Sequence, residues 1–202
     1  HEPTMRLDVV DVDPVVLNVA RSHFFLDPSP LVRLVAADGR GFLRGSRDRY
    51  DCIVLDAFTI GGRIPFHLCT REFFELCRSR LGSDGVFVMN INSSLAGPSS
   101  GMYTAVARTL AEVFPDVRPF ALDYAAAPAA EASRNVVFVA RCADAPWSET
   151  DWDRAAAAYS SSSCIDKTRI RSMVADGLPR VDRDTKTTVL TDDYCPIEAI
   201  RF

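Results

Sequence analysis

The sequence predicts an α/β fold built on an open, doubly wound and mostly parallel sheet that closes with an antiparallel edge pair of strands. Three observations carry this prediction. Short apolar runs alternate with segments of helical periodicity, an acidic residue follows each of the first three runs, and no helix separates the last two runs. With 202 residues and 48% hydrophobic content, the chain is long enough for one substantial core and short for two full domains.

The first half of the chain alternates strand-like and helical segments. An Asp stands at the start of each of the first two helical segments, where its carboxylate can accept hydrogen bonds from free backbone N–H groups. The third strand is a nearly continuous apolar run, which predicts a strand buried on both faces of a parallel sheet. The predicted strands span 6–11, 31–37 and 50–55, and the helical segments begin after Asp13 and Asp38.

The second half continues the pattern and then changes it. Helical spacing of apolar residues predicts two more helices with a strand between them, and a glycine-containing turn is expected to end the first of these helices. The last two strands follow one another without a helix, so they are expected to pair antiparallel. The predicted elements are a helix over 70–81, a turn at Gly82–Gly85, a strand over 86–91, a helix over 99–114, and strands over 117–122 and 135–140. The aromatic residues expected in the core are Phe24, Phe73, Phe74 and Phe114.

After residue 144 the chain changes character. An Ala-rich stretch over 154–158, a Ser run over 160–163 and a polar segment to 188 predict helices joined by a linker. We therefore predict an α/β domain over 1–144 and a helical and loop appendage over 145–202. Trp147 and Trp152 are expected to pack the appendage against the main body.

Charge and cysteine usage limit the partners. The formal net charge is -4 and the Lys and Arg residues are scattered, which argues against nucleic acid as a partner. The six cysteines contain no Cys-x-x-Cys pair, a pattern typical of reduced, buried thiols in a cytoplasmic protein rather than of disulfides or a metal site. No apolar run approaches the roughly 18 residues of a membrane span, and no signal peptide is recognisable. A membrane domain elsewhere in a longer protein is compatible with this pattern.

Three acidic residues, Asp11, Asp38 and Asp56, follow the ends of successive predicted strands. In an open α/β sheet these strand ends line the crevice where ligands bind. A carboxylate at Asp11 can accept from both hydroxyls of a ribose, and Asp38 with Gly39 suits an adenine edge, because glycine lets the backbone approach closely. For any single Asp, capping of the next helix or turn is at least as common, but three at equivalent positions favour a binding site.

Asp56 follows a wholly apolar strand, where we expect its carboxylate to be partly desolvated. Such a carboxylate can bind a cationic amine or accept a proton from it. His67, in the loop that follows, is a second candidate for proton handling. A loop histidine that bonds to the backbone is the more common arrangement, and we do not predict a catalytic role for His67.

Four consecutive segments carry a family resemblance, and they lie at 10–14 (VDVDP), 37–42 (ADGRGF), 50–56 (YDCIVLD) and 70–74 (TREFF). In this order they resemble the motifs of the spermidine synthases (polyamine aminopropyltransferases), whose fold is the Rossmann-like class I methyltransferase type. The resemblance runs from about Arg6 to Phe114, and the segment 190–196 (LTDDYCP) is similar to the tail of bacterial spermidine synthase-like proteins.

The resemblance implies a function for each strand end. Asp11 with Val12 would contact the ribose, and Asp38 with Gly39 the adenine, of decarboxylated S-adenosylmethionine. Asp56 would orient the acceptor amine and receive its proton while the amine attacks the propyl carbon beside the sulfonium. The resemblance also implies a small-molecule amine as the acceptor, a homodimer, and no metal.

The sequence departs from the family pattern at several points. Where these enzymes carry a second Asp, three residues after the first, this chain has Thr59, which argues against putrescine as the acceptor. Asp192 and Asp193 are candidates to supply the lost amine-binding charge, with a turn or capping role as the alternative. The first strand of the family's sheet, the Gly-rich loop after it and the N-terminal hairpin domain have no counterpart here. We expect the missing strand to come from a longer protein or another chain, because a sheet without it has an unpaired edge.

The sequence is compatible with two other functions. One is an S-adenosylmethionine-dependent methyltransferase, since the adenosine pocket does not distinguish the intact cofactor from its decarboxylated form. The other is a non-catalytic nucleoside-binding domain of the same fold, which the missing strand and Thr59 favour.

Overall fold

The computed structural model describes most of the chain up to residue 143 and parts of the rest. The described residues are 4–24, 26, 29–59, 62–143, 145, 147–148, 150–151, 154, 157, 172–182 and 187–196. The chain divides into two units, His1–Arg47 (unit 1) and Asp48–Phe202 (unit 2). The domain boundary predicted between residues 144 and 145 is not the boundary between these two units, and it stays a prediction.

Unit 1 consists of two strand–helix segments. Strands β1 and β2 pair in parallel, with Leu7 opposite Val32 and Asp11 opposite Ala36. The four predicted elements are therefore confirmed, with ends that differ by one or two residues. Their bounds are β1 Leu7–Asp11, α1 Pro14–His23, β2 Val32–Ala36 and α2 Gly39–Gly45.

Phe24 does not lie in the core as predicted. It stands just beyond the last residue of α1 and is 74% exposed. The helical spacing that placed it on the apolar face ends at His23, so the side chain leaves that face. On the helix itself, Leu17 is buried and Val16 is half exposed.

Unit 2 contains a four-stranded mixed sheet in the order β3-β4-β6-β5. β3 and β4 run parallel, whereas β4 with β6 and β5 with β6 run antiparallel, which confirms the predicted antiparallel pair. The elements are β3 Tyr50–Leu55, a short 3₁₀ helix Phe66–Leu68, α3 Arg71–Arg80, β4 Leu81–Ser93, α4 Gly101–Val113, β5 Asp116–Ala121 and β6 Arg134–Arg141.

The core of unit 2 forms where α3 and α4 contact β4. Phe74, Phe87 and Phe114 are 1% exposed or less, with the Phe87 ring stacked on Phe114 at 5.7 Å between centroids. Phe73, also predicted in the core, is 2% exposed. The largest fully buried side chains come from residues 74–138, in which hydrophobic residues recur at helix and strand spacing, together with Leu190 near the C-terminus.

The predicted turn at Gly82–Gly85 falls within the bounds of β4, and the chain folds back there so far that the Cβ position of Gly85 approaches Leu81 and Gly82. These residues lie inside β4, which begins directly after α3. The pairing with β3 shifts here, because Tyr50 lies opposite Leu81 and the next paired residue, Cys52, lies opposite Val86. The extra residues form a bulge, and a Cβ at Gly85 would come within 2.7 Å of the Leu81 Cβ, so a glycine is required there.

Strand β3 has the predicted bounds but is not buried on both faces. Val54 is 67% exposed, Cys52 is exposed, and Leu55 is buried. Within the described part of the chain β3 pairs with β4 alone, and its other edge carries no strand. The prediction that β3 is buried on both faces is therefore wrong for the described part of the chain.

The C-terminal residues that the structure describes pack on unit 2. Residues 176–181 run along β5: the N–H of Leu178 donates to Pro119 O at 2.8 Å, and the N–H of Val181 donates to Val117 O at 3.1 Å. Trp147 lies against the Arg141 guanidinium at 4.4 Å, as expected for a residue that fixes the appendage. Trp152, the Ser run over 160–163 and most of the Ala-rich stretch lie outside the described residues. No helix in the described residues is long and apolar enough to cross a membrane.

Candidate active site

Asp11 is the last residue of β1, at the carboxyl end of the strand pair. Its Oδ1 accepts a hydrogen bond from the N–H of Asp13 at 2.8 Å, which turns the chain toward α1. A carboxylate offers about four acceptor positions, so this bond leaves capacity for a ribose diol. Val12, the other predicted ribose contact, follows on the surface and is 75% exposed.

Asp38 lies at the same end of the parallel pair, two residues after β2. Its Oδ1 accepts from the N–H of Gly41 at 2.7 Å, so Asp38 is the N-cap of α2. Asp13 caps α1 in the same way by accepting from Val15 at 2.8 Å. Asp38 therefore caps a helix, which was the alternative to a binding role. Any contact with adenine would be made in addition to this cap.

Gly39 begins α2, and no contact among the described residues requires a glycine there. A Cβ at this position would have no atom within 4 Å, so neighbouring side chains leave it open space. A ligand that lies against this backbone would give a reason for the missing side chain. The open space at Gly39 fits the predicted adenine contact.

Asp56 follows β3 directly and lies level with Asn90 of β4, since Leu55 pairs with Met89. Asn90 Nδ2 donates to Asp56 Oδ1 at 3.0 Å. The carboxylate is exposed, so the expected partial desolvation is wrong for this chain taken alone. The reason is the open edge of β3, which leaves solvent beside the strand end.

Thr59 has a local structural role in the loop after Asp56. Its N–H and its hydroxyl both donate to the Arg63 carbonyl, at 2.6 Å and 2.9 Å. The N–H of Gly62 in turn donates to the Thr59 carbonyl at 3.1 Å. Thr59 therefore closes this loop, at the position where the family has its second Asp.

His67 lies in the 3₁₀ helix, half-buried, with its ring edge-on to Phe66 at 5.6 Å between centroids.

The Asp192–Asp193 pair forms the tip of a turn in which Thr191 and Tyr194 exchange backbone hydrogen bonds. Asp192 Oδ1 accepts from the hydroxyl of Thr70 at 2.7 Å, and the Asp192 N–H donates to Glu72 at 2.9 Å. Thr70 is itself the N-cap of α3. These contacts realise the turn and capping alternative for Asp192, while Asp193 is exposed at the tip.

The cysteines differ in environment more than the sequence predicted. Cys69 and Cys77 are buried, Cys142 and Cys195 are half-buried, and Cys52 is exposed on the open side of β3. Burial, and then the nearby Cys195, raises the pKa of the Cys69 thiol well above its ordinary value. That thiol therefore stays protonated and is a poor nucleophile. Cys164 lies outside the described residues.

Two residues of this region were missed in the sequence. Asn90 contacts Asp56, and Thr70 holds both the start of α3 and the C-terminal turn. A signal for Asn90 was present, because it interrupts the apolar run of a predicted buried strand. No comparable signal existed for the Thr70–Asp192 contact, which joins residues 122 positions apart.

Comparison with known proteins indicates the same family as the motifs at the strand ends. Residues 1–145 match the family model of the Spermine/spermidine synthase domain. A polyamine aminopropyltransferase from Vibrio vulnificus is 38% identical over 109 residues, which are 52% of this chain and 36% of that protein. The chain thus spans little more than a third of the length of this curated relative.

Solved structures with a similar fold include a probable spermidine synthase and a methyltransferase-like protein. A probable spermidine synthase from Corynebacterium glutamicum matches with a TM-score of 0.68 at 20% identity, over 94% of this chain and 64% of that one. Human methyltransferase-like protein 13, in complex with SAH, matches with a TM-score of 0.63 at 21% identity, over 92% of this chain and 78% of that one. These likenesses confirm the predicted Rossmann-like, methyltransferase-type α/β fold.

Proposed function

We propose that this chain, which belongs to the spermine/spermidine synthase family, forms the adenosine-binding part of an aminopropyltransferase. The enzyme would move an aminopropyl group from decarboxylated S-adenosylmethionine to an amine. The observation that carries the proposal is the family match over residues 1–145, which includes all three strand-end carboxylates. The likeness to a named polyamine aminopropyltransferase supports it.

In this reaction the amine nitrogen attacks the propyl carbon next to the sulfonium. A new C–N bond forms, the C–S bond breaks, and methylthioadenosine leaves as a neutral thioether. The nitrogen must then lose a proton. We assign Asp56 as the group that orients the amine and accepts this proton, because its carboxylate is exposed and already oriented by Asn90.

For the co-substrate we assign Asp11 and Val12 to the ribose and Asp38 and Gly39 to the adenine. Asp11 and Asp38 both lie at the carboxyl ends of β1 and β2, where open α/β sheets bind nucleotides. The open space at Gly39 supports an approach of the base to the backbone. The Asp11 carboxylate keeps acceptor positions beyond its bond with the N–H of Asp13.

The acceptor is a small amine for which no second carboxylate after Asp56 is required. Thr59 carries no charge, and its hydroxyl is used by the loop. Asp192 and Asp193 are the residues that could supply a charge from the tail, but Asp192 is engaged with Thr70. Strict selection of putrescine is therefore not expected.

Substitution of Asp56 tests the proposed chemistry. We expect Asp56→Asn, in the full-length gene product, to lower kcat on the order of 100- to 10,000-fold, as for the loss of a positioned general base. Asp51→Asn is the matched control, since Asp51 is an exposed carboxylate on the same strand. Equal rates for Asp56→Asn and wild type would remove Asp56 from the mechanism.

A methyltransferase is the second candidate, and the likeness to human methyltransferase-like protein 13 favours it. Calorimetric binding of methylthioadenosine, S-adenosylmethionine and decarboxylated S-adenosylmethionine distinguishes the two. Preference for the decarboxylated compound supports aminopropyl transfer, and preference for S-adenosylmethionine supports methyl transfer. No binding of any of them would favour a non-catalytic domain of this fold.

We further propose that the open edge of β3 receives a parallel strand from elsewhere in a longer protein or from another chain. The open edge of β3 supports this, because its backbone N–H and C=O groups would be paired by a neighbouring strand, and the crossover helix of such a strand would cover the face on which Val54 is exposed. A homodimer is likewise a proposal from the family. Comparison of this chain with an upstream-extended form by hydrogen exchange tests the strand: the β3 amides should become more protected in the extended form.

A further inference from the structure

Asn90 is a polar residue placed within an apolar strand. Its neighbours Met89 and Ile91 are fully buried, and Asn90 itself is half-buried on the opposite side of β4. A polar side chain at such a position is unfavourable unless its hydrogen bonds are made. The bond that Asn90 makes is the one from Nδ2 to Asp56 Oδ1, at 3.0 Å.

The backbone of Asn90 is held on both sides. In β6 it lies opposite Val137, and in β3 the preceding Met89 lies opposite Leu55. Asp56, by contrast, is the first residue beyond its strand and is exposed. Of the two partners, Asn90 is therefore the fixed one, and the carboxylate takes its orientation from the amide.

The oxygen of the Asn90 amide also indicates that this side chain is oriented to donate to Asp56. Asn90 Oδ1 is buried and has no hydrogen-bond partner among the described residues. A rotated amide would present this oxygen to the Asp56 carboxylate, which only accepts hydrogen bonds and would repel it. The amide therefore keeps its donor end toward Asp56, even though its oxygen is left without a hydrogen-bond partner among the described residues.

We propose that Asn90 is a positioning residue for Asp56. By donating to Oδ1 it fixes the plane of the carboxylate and leaves Oδ2 to meet the acceptor amine. This inference rests on the proposed role of Asp56 in proton transfer. Because Asn90 acts on the orientation of the base, its loss should lower kcat and leave the KM for the nucleoside co-substrate unchanged.

The test uses Asn90→Ala in the full-length gene product, with Asn92→Ala as the matched control. Asn92 lies two residues further along β4, and its amide oxygen accepts from Ser133 at 2.6 Å. We expect Asn90→Ala to lower kcat on the order of 10- to 100-fold, as for a reacting group misplaced by about 1 Å. Asn92→Ala should change kcat less than about twofold, because surface substitutions of this kind have small effects.

A double-mutant cycle with Asp56→Asn separates an effect through Asp56 from a general one. Single-turnover product formation, followed by mass spectrometry, measures the slow variants. We expect Asn90→Ala to cause no further loss once Asp56 is Asn. An equal loss in both backgrounds, or an equal loss in Asn90→Ala and Asn92→Ala, would overturn the proposal.

A second readout does not depend on turnover. The same four variants of the cycle, unfolded in urea, give the coupling free energy between Asp56 and Asn90. A measurable coupling is expected, and a coupling of zero would overturn the inference. Absence of aminopropyl transfer by the wild type would instead count against the proposed function, and the unfolding cycle would still decide whether Asn90 holds Asp56.

Discussion

The two units of the chain differ sharply in how much apolar surface they bury. In unit 2, α3 and α4 cover a four-stranded sheet and enclose fully buried aromatic rings. In unit 1, Leu17 and Leu43 are the described hydrophobic residues that reach the buried state, each at 7% exposure. On α1, three valines remain 40% to 61% exposed: Val15, Val16 and Val19. Two strands with two helices are too few to enclose a core of their own.

Because of this difference, we expect the two units to contribute differently to folding stability and to nucleoside binding. Unit 2 supplies the packed core together with Asp56, whereas unit 1 supplies the residues proposed for the ribose and adenine. Substitutions in unit 2 should therefore change the free energy of unfolding, and substitutions in unit 1 should change nucleoside binding more than stability. Each prediction below compares a matched pair of positions, beginning with the largest expected effect.

The first pair is Phe87→Ala in unit 2 and Phe24→Ala in unit 1. Phe87 is fully buried between Phe74 and Phe114, with ring centroids 5.6 Å and 5.7 Å away. Its truncation should lower the free energy of unfolding by about 3–5 kcal/mol, whereas Phe24→Ala should change it by less than about 0.5 kcal/mol. Urea titrations of both variants measure this. A large cost at Phe24 would mean that Phe24 is buried in the folded protein and would contradict the comparison.

The second pair is Gly85→Ala and Gly39→Ala. A Cβ at Gly85 would come within 2.7 Å of Leu81 and 3.0 Å of Gly82 backbone atoms, so the bulge must shift at a cost of about 1–3 kcal/mol. At Gly39 the space is open, and the substitution should be neutral or slightly stabilising in the free chain.

Binding distinguishes the same two variants. Gly39→Ala should weaken methylthioadenosine binding in calorimetry if the base approaches this backbone, and Gly85→Ala should not. Unchanged affinity for Gly39→Ala would remove Gly39 from the proposed adenine contact.

The third prediction concerns the C-terminal segment of unit 2. The buried Thr109 hydroxyl accepts from the N–H of Leu190 at 2.9 Å. Thr109→Val keeps the shape and leaves that N–H without a partner, which should cost about 1–3 kcal/mol. Thr104→Val, on the same helix and half-buried, removes a hydroxyl that bonds within α4 and should cost less. Equal effects in urea titration would mean that residues 187–196 do not dock on α4 in solution.

How much of this structure the sequence predicts depends on the range of the interactions involved. The strands and helices of both units follow from apolar periodicity and from capping by Asp13 and Asp38, which are local signals. The glycines at 82–85 predict a chain reversal, but its place inside β4, as a bulge in the pairing with β3, depends on the register of the two strands.

The candidate site was predictable where it follows strand ends and not where it depends on contacts between elements. Asp11, Asp38 and Asp56 stand at strand ends that the pattern of the chain locates. The exposure of β3 depends on which strands lie beside it, and the Asp56–Asn90 bond depends on the register of β3 with β4. Neither can be derived from spacing within one segment.

The last and smallest effect separates the two roles of Asp38. Asp38→Ala removes the N-cap of α2 and should cost about 1 kcal/mol, whereas Asp38→Ser retains a capping oxygen and should cost only a few tenths. Asp13→Ala removes the equivalent cap of α1, so it reports the cost of a lost cap at a residue with no proposed ligand contact. If Asp38 also accepts from the adenine amine, Asp38→Ser should weaken nucleoside binding although stability is retained. Unchanged calorimetric affinity in Asp38→Ser, with stability lost only in Asp38→Ala, would reduce Asp38 to a helix cap and leave Asp11 as the nucleoside-binding carboxylate of unit 1.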